Sequence, residues 1–336
     1  MLKLGGGRMD VLSEVLKVVK LQGALFFNGE FSAPWRVRAG DSCRKMAPLL
    51  APGAGHVILY HLLTEGRARV RLDDGSHLDM SAGDIVIFPH GDPHTIENGA
   101  ATEMMDYSRA LADVLAQGLK VYRRGGGGEV TKFVCGFMAC DPDLSKVFLN
   151  GLPTLFKVNV RQDGAGRWLE NSIRFSVDEA PGYRPGSEAV LAKLSEALFV
   201  ETLRAYISDL PPEQTGWLAG ARDAEVGKTL ALMHRSPAHP WTLASLAKEA
   251  GISRSVLAER FRHYLNEPPM AYLTRWRLQL GAQMLTSTNH SVSQIAAEVG
   301  YESEAAFNRA FKREFEVPPA RFRNQSRAAQ RTAARA

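Results

Sequence analysis

Two stretches of the C-terminal third are copies of one another, and that duplication limits the folds open to this chain more than any other feature. Leu246-Ala247-Lys248-Glu249-Ala250-Gly251-Ile252-Ser253 is matched 49 residues later by Ile295-Ala296-Ala297-Glu298-Val299-Gly300-Tyr301-Glu302. One residue is then inserted and the offset becomes 50: Ser253 pairs with Ser303, Leu257 with Phe307, Phe261 with Phe311, Pro268 with Pro318 and Tyr272 with Phe322. A period this long that occurs only twice marks a duplicated supersecondary unit, not a solenoid.

Each copy reads as a short helix, a turn and a second helix. Gly251 permits the tight turn, and Ser253 and Ser303 are placed to cap the second helices. In the first copy Val256, Leu257, Phe261 and Tyr264 form the predicted buried stripe, with Ser255, Ala258, Glu259 and Arg262 outside. In the second, Ala306, Phe307 and Phe311 face inward, and Glu304, Ala305, Asn308, Arg309 and Lys312 face out. Helix, turn and helix is a geometry that reads DNA with the second helix in the major groove; the bland alternative is a generic helical bundle. Pro268-Pro269 starts a connecting helix that continues from Met270 to Leu285, about 24 Å of helix. With the motifs' own width, this sets the recognition helices about one DNA turn, ~34 Å, apart. Arg275, Arg277, Arg309, Lys312 and Arg313 are expected against phosphates, where contacts fix register without reading sequence.

Charge is distributed unevenly. From Arg222 onward there are 17 Lys and Arg against 10 Asp and Glu, whereas the rest of the chain has 24 against 26. A basic domain joined to a near-neutral one is what a polyanion binder shows, and a solvated basic surface is the alternative. No apolar run approaches the ~20 residues of a bilayer helix, so no membrane partner is expected. Three cysteines, Cys43, Cys135 and Cys140, make no disulfide framework and fit a reducing cytoplasm.

Trp241-Thr242-Leu243-Ala244-Ser245-Leu246-Ala247, Ser253-Arg254-Ser255 and Pro268-Pro269-Met270-Ala271-Tyr272-Leu273-Thr274-Arg275-Trp276-Arg277-Leu278 together resemble the AraC/XylS family of bacterial regulators. Ile295-Ala296, Gly300-Tyr301, Ser303, Phe307-Asn308-Arg309-Ala310-Phe311-Lys312 and Pro318 carry the same resemblance, which spans about residues 223–323. It implies double-stranded DNA as partner, and RNA polymerase where the output is activation. The implied DNA-facing residues are Ser253, Arg254, Ser255, Glu259, Arg262, Arg275, Arg277, Ser303, Glu304, Asn308, Arg309 and Lys312. Two positions depart from the family. Ala258 and Glu259 stand where Arg or Gln is frequent, so Glu259 either accepts from a cytosine amino group or orients Arg262. Glu316 stands where glycine is usual, and its counterpart Asn266 tolerates a left-handed cap better.

The N-terminal part carries strand signals. Arg67-Ala68-Arg69-Val70-Arg71-Leu72 alternates strictly, Asp73-Asp74-Gly75-Ser76 turns, and Ile85-Val86-Ile87-Phe88 is stopped by Pro89 and Gly91. Short strands at this spacing suggest an antiparallel sandwich or barrel. Gly83, Pro89, Gly91, His94 and Asn98 match the second motif of the cupin superfamily at every stated position. The first motif is partial: Gly55 and His61 are present, but Leu63 replaces a second histidine and Arg67-Ala68 fall where a glutamate is expected. The region thus resembles the cupin sensor found ahead of AraC-type DNA-binding units.

The resulting expectation is an α+β multidomain chain: an antiparallel cupin (jelly-roll) barrel with following helices, then an all-α domain of two helix-turn-helix motifs joined by a linker helix. Residues 10–140 are assigned to the effector-binding cupin and 141–210 to a helical segment packed on it, a candidate homodimer seam. Residues 211–221 are the linker, 222–325 the DNA-binding domain and 326–336 a basic, disordered tail. His61, His90 and His94 are candidate effector or metal residues, able as imidazoles to hold Zn²⁺ or Ni²⁺, or else to line an organic-ligand cavity. Cys135 and Cys140 are candidate redox residues. Two functions from different classes follow: a regulator whose cupin senses a small effector or a redox or metal stimulus, and a metal-dependent cupin enzyme fused to a DNA-binding module. No catalytic residues are assigned, because no acid–base constellation accompanies the histidines.

Overall fold

The computed structural model describes residues 11–19, 21–39, 56–100, 103–106, 121–140, 149–179, 185–211 and 213–333. They fall into two compact units, each considered by itself: the described residues of 21–140 with those of 153–209, and the described residues from 210 onward with 11–19 and 149–152.

The first unit is a sandwich of two sheets. Its strands are β1 (Gln22–Ser32), β2 (Trp35–Ala39), β3 (His56–Glu65), β4 (Arg67–Leu72), β5 (His77–Ser81), β6 (Asp84–Phe88), β7 (His94–Asn98), β8 (Met105–Asp106), β9 (Val121–Gly125), β10 (Val130–Cys140) and β11 (Phe156–Asn159). One sheet has the order β11-β6-β3-β10-β1-β9, the other β5-β4-β7-β2-β8. The alternation in β4 does what it predicts: Ala68 and Val70 are buried while Arg67, Arg69 and Arg71 lie outside, where Arg69 pairs with Asp79 at 2.7 Å. All five residues of β6 are buried: Ile85 to Phe88 form the apolar run of a strand covered on both faces, and Asp84 before them is held by Lys157 and Asn159. Pairing is antiparallel except between β1 and β9 and between β2 and β8, which are parallel; the all-antiparallel expectation is corrected there. Phe27, Phe31, Trp35, Phe88, Phe133, Cys135 and Phe137 lie in the core between the sheets.

Helices α2 (Gly164–Glu179) and α3 (Ser187–Asp209) complete this unit, and α3 packs on β1. A side chain at Gly23 would meet the Ala192 carbonyl at 2.7 Å, and Tyr60 and Ser195 hydroxyls bond at 2.7 Å. The segment from 141 to 210 is therefore not wholly helical. Phe156 and Val158 alternate inward, so their stretch joins the sheet edge as β11 against β6.

The second unit is helical: α1 (Val11–Val19), α4 (Trp217–Arg222), α5 (Ala224–Arg235), α6 (Leu243–Ala250), α7 (Arg254–Leu265), α8 (Pro269–Ser287), α9 (Val292–Glu298), α10 (Glu304–Phe315) and α11 (Pro319–Ala333). Residues 11–19 form α1, which packs on α5. Two sequence expectations are corrected here. The supposed linker contains α4, because the Trp217 indole is buried and donates to the Tyr272 hydroxyl at 2.9 Å. The supposed disordered tail is helical through Ala333, with 334–336 outside the described residues. Its arginines cap another helix: Arg323 Nε donates to the Leu285 carbonyl at 3.2 Å and Arg327 to that of Thr288 at 3.0 Å, both at the C-terminus of α8.

Candidate functional site

The two copies use the same devices at the same places. Thr242 and Ser245 form a reciprocal capping box at the start of α6, and Ser291 and Gln294 form one at the start of α9. Sequence reasoning missed both, although Ser291-x-x-Gln294 is the spacing that announces one. Gly251 and Gly300 sit at positive φ, 80° and 88°, and turn the chain into the second helix. Ser253 then accepts from Val256 N at 3.2 Å and Ser303 from Ala306 N at 3.2 Å. At the far ends Asn266 (φ 55°) and Glu316 (φ 62°) both take the left-handed conformation, the position already marked as unfavourable for Glu316.

Leu257, Phe261, Phe307 and Phe311 are fully buried and anchor α7 and α10, which fixes their outer faces. On α7 the exposed residues include Arg254, Ser255, Glu259, Arg262 and His263, with Ser253 before them; on α10 they include Glu304, Ala305, Arg309, Lys312 and Arg313, with Ser303 before them and Asn308 half-buried. Val256, placed by sequence in the buried stripe, is instead 40 % exposed. Leu257 already fills the inward direction at that turn, so its neighbour, about 100° round the helix, points out. The reading face of α7 thus includes an apolar side chain in its first turn.

The basic residues divide into two sets. Some hold the fold. Arg260 bonds the buried Asp223 carboxylate, which caps α5. Burial pushes that carboxyl upward, but the bonds from Arg260 and from Val226 N outweigh burial and leave it below the usual carboxylate range. Arg275 pairs with Glu267 and lies 5.7 Å from the Tyr272 ring. Arg277 donates to the Pro237 carbonyl at 2.7 Å and that of His239 at 2.9 Å. These two were expected on phosphates; one guanidinium nitrogen of Arg275 and two of Arg277 have partners within the protein, while Arg275 Nε is buried without one. The side chains of Arg254, Arg262, Arg309 and Lys312, by contrast, have no hydrogen bond or ion pair among the described residues. Each recognition helix thus carries uncommitted cations on its outer face, Arg313 of α10 among them.

In the sandwich, β3 sets His61 directly opposite Cys135 of β10, and His94 reaches them from β7 of the other sheet. His61 Nδ1 lies 2.8 Å from Cys135 Sγ, and His61 Nε2 lies 2.8 Å from His94 Nε2. His94 Nδ1 is 2.8 Å from the Asp92 carbonyl, and its ring stacks on Phe88 at 3.6 Å. A carbonyl only accepts, so His94 Nδ1 carries a proton, and the neutral ring's Nε2 accepts. His61 Nε2 therefore donates, His61 Nδ1 accepts, and the Cys135 thiol donates to it. All three groups are buried and neutral, and every polar atom in the relay has a partner. Burial, followed by the neighbouring His94, holds the His61 pKa well below its ordinary value. Burial likewise lowers His94 to about 4, against the opposing effect of the Asp92 carbonyl.

This arrangement does not fit a metal. Two imidazole nitrogens on one ion at ~2.0–2.1 Å each and tetrahedral angle stand ~3.3 Å apart, whereas these face each other at 2.8 Å and share a proton. The second nitrogen of each ring is also engaged. His90 is half-buried in the turn after β6, and no group of three His, Cys, Asp or Glu among the described residues is arranged to hold an ion. Cys140 lies five residues beyond Cys135 in β10, so the two point to opposite faces about 16 Å apart along the strand. A disulfide between them cannot form in the intact strand.

Comparison with known proteins accords with this division. Residues 10–208 match a family model described as cupin, and residues 246–325 match a helix-turn-helix domain. The HTH-type transcriptional regulator AlkR of Acinetobacter baylyi is 30 % identical over 326 residues, covering 95 % of this chain and 100 % of that protein. The RCS-specific HTH-type transcriptional activator RclR of Escherichia coli is 29 % identical over 322 residues, covering 95 % and 99 %. The HTH-type transcriptional regulator MtrA of Neisseria gonorrhoeae is 26 % identical over 320 residues, covering 94 % and 99 %.

The buried histidines set a pH dependence. Both are neutral in the folded barrel and recover a pKa near 6.5 when the chain unfolds. Below that pH the unfolded chain binds protons that the folded one refuses, so stability falls as pH drops from 6.5 toward 4, by up to ~1.4 kcal/mol per pH unit for each ring. Urea unfolding at pH 7.0, 6.0 and 5.0 is expected to show a falling midpoint, and His94→Gln a flatter dependence.

Proposed function

The chain belongs to the AraC-type transcription regulators that carry an N-terminal cupin, and on that premise we propose that its barrel takes up a small effector and thereby alters how α7 and α10 meet operator DNA. The observation that carries this reading is the placement of Arg254, Arg262, Arg309 and Lys312, exposed and uncommitted on the two recognition helices while Arg260, Arg275 and Arg277 have partners within the fold. A cation left unpaired on a reading face is available to a phosphate or to guanine. Val256, exposed in the first turn of α7, supplies an apolar contact of the kind a thymine methyl takes. Binding is to double-stranded DNA in the cytoplasm, and the output is activation through RNA polymerase, in keeping with the activator named among the relatives. The barrel acts as a sensor: His61 and His94 bond one another and their neighbours, which leaves neither of these rings poised on a substrate.

The regulator acts as a homodimer through α2 and α3. Trp168 and Phe175 on α2 and Val190 on α3 are 63 %, 62 % and 53 % exposed and lie together on one face. By ordinary side-chain sizes they leave about 350 Å² uncovered, so two copies joined by a two-fold would bury ~700 Å² from these anchors alone, nearly half a standard interface. The same patch meeting itself is what a closed dimer requires.

Two measurements check these readings. Arg262→Ala with Arg309→Ala is expected to weaken binding of a fragment of the upstream promoter at least tenfold at moderate salt and to make the salt dependence shallower by about two contacts. Unchanged affinity and slope would remove the DNA-facing assignment. In sedimentation at tens of micromolar, the full chain is expected as a dimer and Phe175→Glu as a monomer; a wild-type monomer contradicts the α2–α3 seam.

A further inference from the structure

The two recognition helices are built alike and charged oppositely. Each has 12 residues, a serine cap before it and a left-handed residue after it. Each is anchored by two fully buried side chains one turn apart, Leu257 and Phe261 on α7 and Phe307 and Phe311 on α10. At about 100° of rotation per residue, the position midway between two such anchors stands about 160° from both, at the centre of the outer face. That position is Glu259 on α7 and Arg309 on α10, and both are exposed. The first helical position inverts as well, since Arg254 of α7 is matched by Glu304 of α10. Duplication thus presents one scaffold twice, with the sign at the centre of its reading face reversed.

Glu259 has no hydrogen bond or ion pair among the described residues, although Arg262 stands three positions on, where a helix surface brings opposite charges together. In the structure the carboxylate does not orient Arg262, which favours the other role open to it, a contact to a base. An ionised carboxylate only accepts, and in a groove bordered by phosphates it is repelled unless it meets a donor. Adenine offers N6–H2 beside the acceptor N7, which opposes the second carboxylate oxygen; cytosine offers N4–H2 with no acceptor beside it. Arg309 is the complement, because its guanidinium donates twice to the O6 and N7 of guanine.

We propose that Glu259 selects a cytosine in the half-site under α7 and Arg309 a guanine at the equivalent step under α10, so that the operator carries the same base pair in opposite strand orientation in its two half-sites. The proposal rests on the reading of α7 and α10 as recognition helices. The half-sites are then not interchangeable, and one chain sits on its duplex in one direction only.

Selection of bound sequences from a library of random-sequence duplexes by the full chain tests this. The wild type is expected to enrich two blocks centred about 10 bp apart, one with a fixed cytosine and the other with a fixed guanine. Glu259→Gln keeps the side chain's shape at an exposed, unpartnered position, and Gln pairs with adenine N6 and N7. It should turn that cytosine into adenine and leave the other block unchanged. Arg309→Gln should turn the guanine of the other block into adenine. On the selected site, replacing the cytosine by thymine is expected to weaken the wild type about fivefold or more, and Glu259→Gln at most about twofold. Arg262→Ala should weaken binding and keep the cytosine. The proposal is overturned if Glu259→Gln enriches the wild-type motif unchanged, if Glu259→Gln and Arg309→Gln alter the same block, or if Arg262→Ala also removes the cytosine. A wild-type chain that enriches no motif overturns the regulator reading; one whose motif ignores Glu259 overturns the base assignment alone.

Discussion

The buried length of α8 is the constraint on which the DNA-binding unit depends. Its N-terminal half contributes Tyr272, Leu273 and Trp276 to the first helix-turn-helix core, where Trp276 stacks on His234 at 3.9 Å and Tyr272 bonds both His234 and Trp217. Its C-terminal half contributes Leu278, Ala282 and Leu285 to the second core, with Ile295, Phe307 and Phe311. At Gly281 the helix comes so close to the second unit that a Cβ would meet the Phe307 ring at 2.8 Å. One helix therefore sets the spacing of both recognition helices. An α-helix does not stretch, so that spacing belongs to the backbone and not to the linker between domains. Arginines 323 and 327 close its last carbonyls, and Arg277 ties it to the loop before α6.

Much of this was legible because duplication registers each position twice. Ser253 and Ser303, Phe261 and Phe311, Asn266 and Glu316 behave alike in the structure as their spacing predicts. The strict alternation of β4 likewise announced its two faces. What escaped reading depends on tertiary partners. That Arg275 also pairs with Glu267, and that Arg277 donates to the carbonyls of Pro237 and His239, cannot be read from their spacing. Val256 is apolar and so was assigned inward, but helix geometry gives that turn only one inward position, and Leu257 takes it. The segment read as a linker is ordered by one tryptophan whose partner, Tyr272, lies 55 residues away.

The barrel shows the same limit from another side. The structure sets His94 at the start of a strand and His61 in the other sheet, whereas the metal reading followed from residue types alone. Their use is decided by the neighbours. Cys135 occupies one nitrogen of His61 and the Asp92 carbonyl one of His94, which leaves the remaining pair to each other. A buried polar group is stable only with its partners in place, and here a thiol and a main-chain carbonyl supply what an ion would.

The central claim is that both recognition helices engage one face of a duplex at a separation set by α8. Hydroxyl-radical footprinting of the full chain on its upstream promoter DNA tests it most directly. Two protected windows on the same face, centred about 10 bp apart, are predicted for each bound chain. A single window, or two windows offset by about half a helical turn, would contradict it.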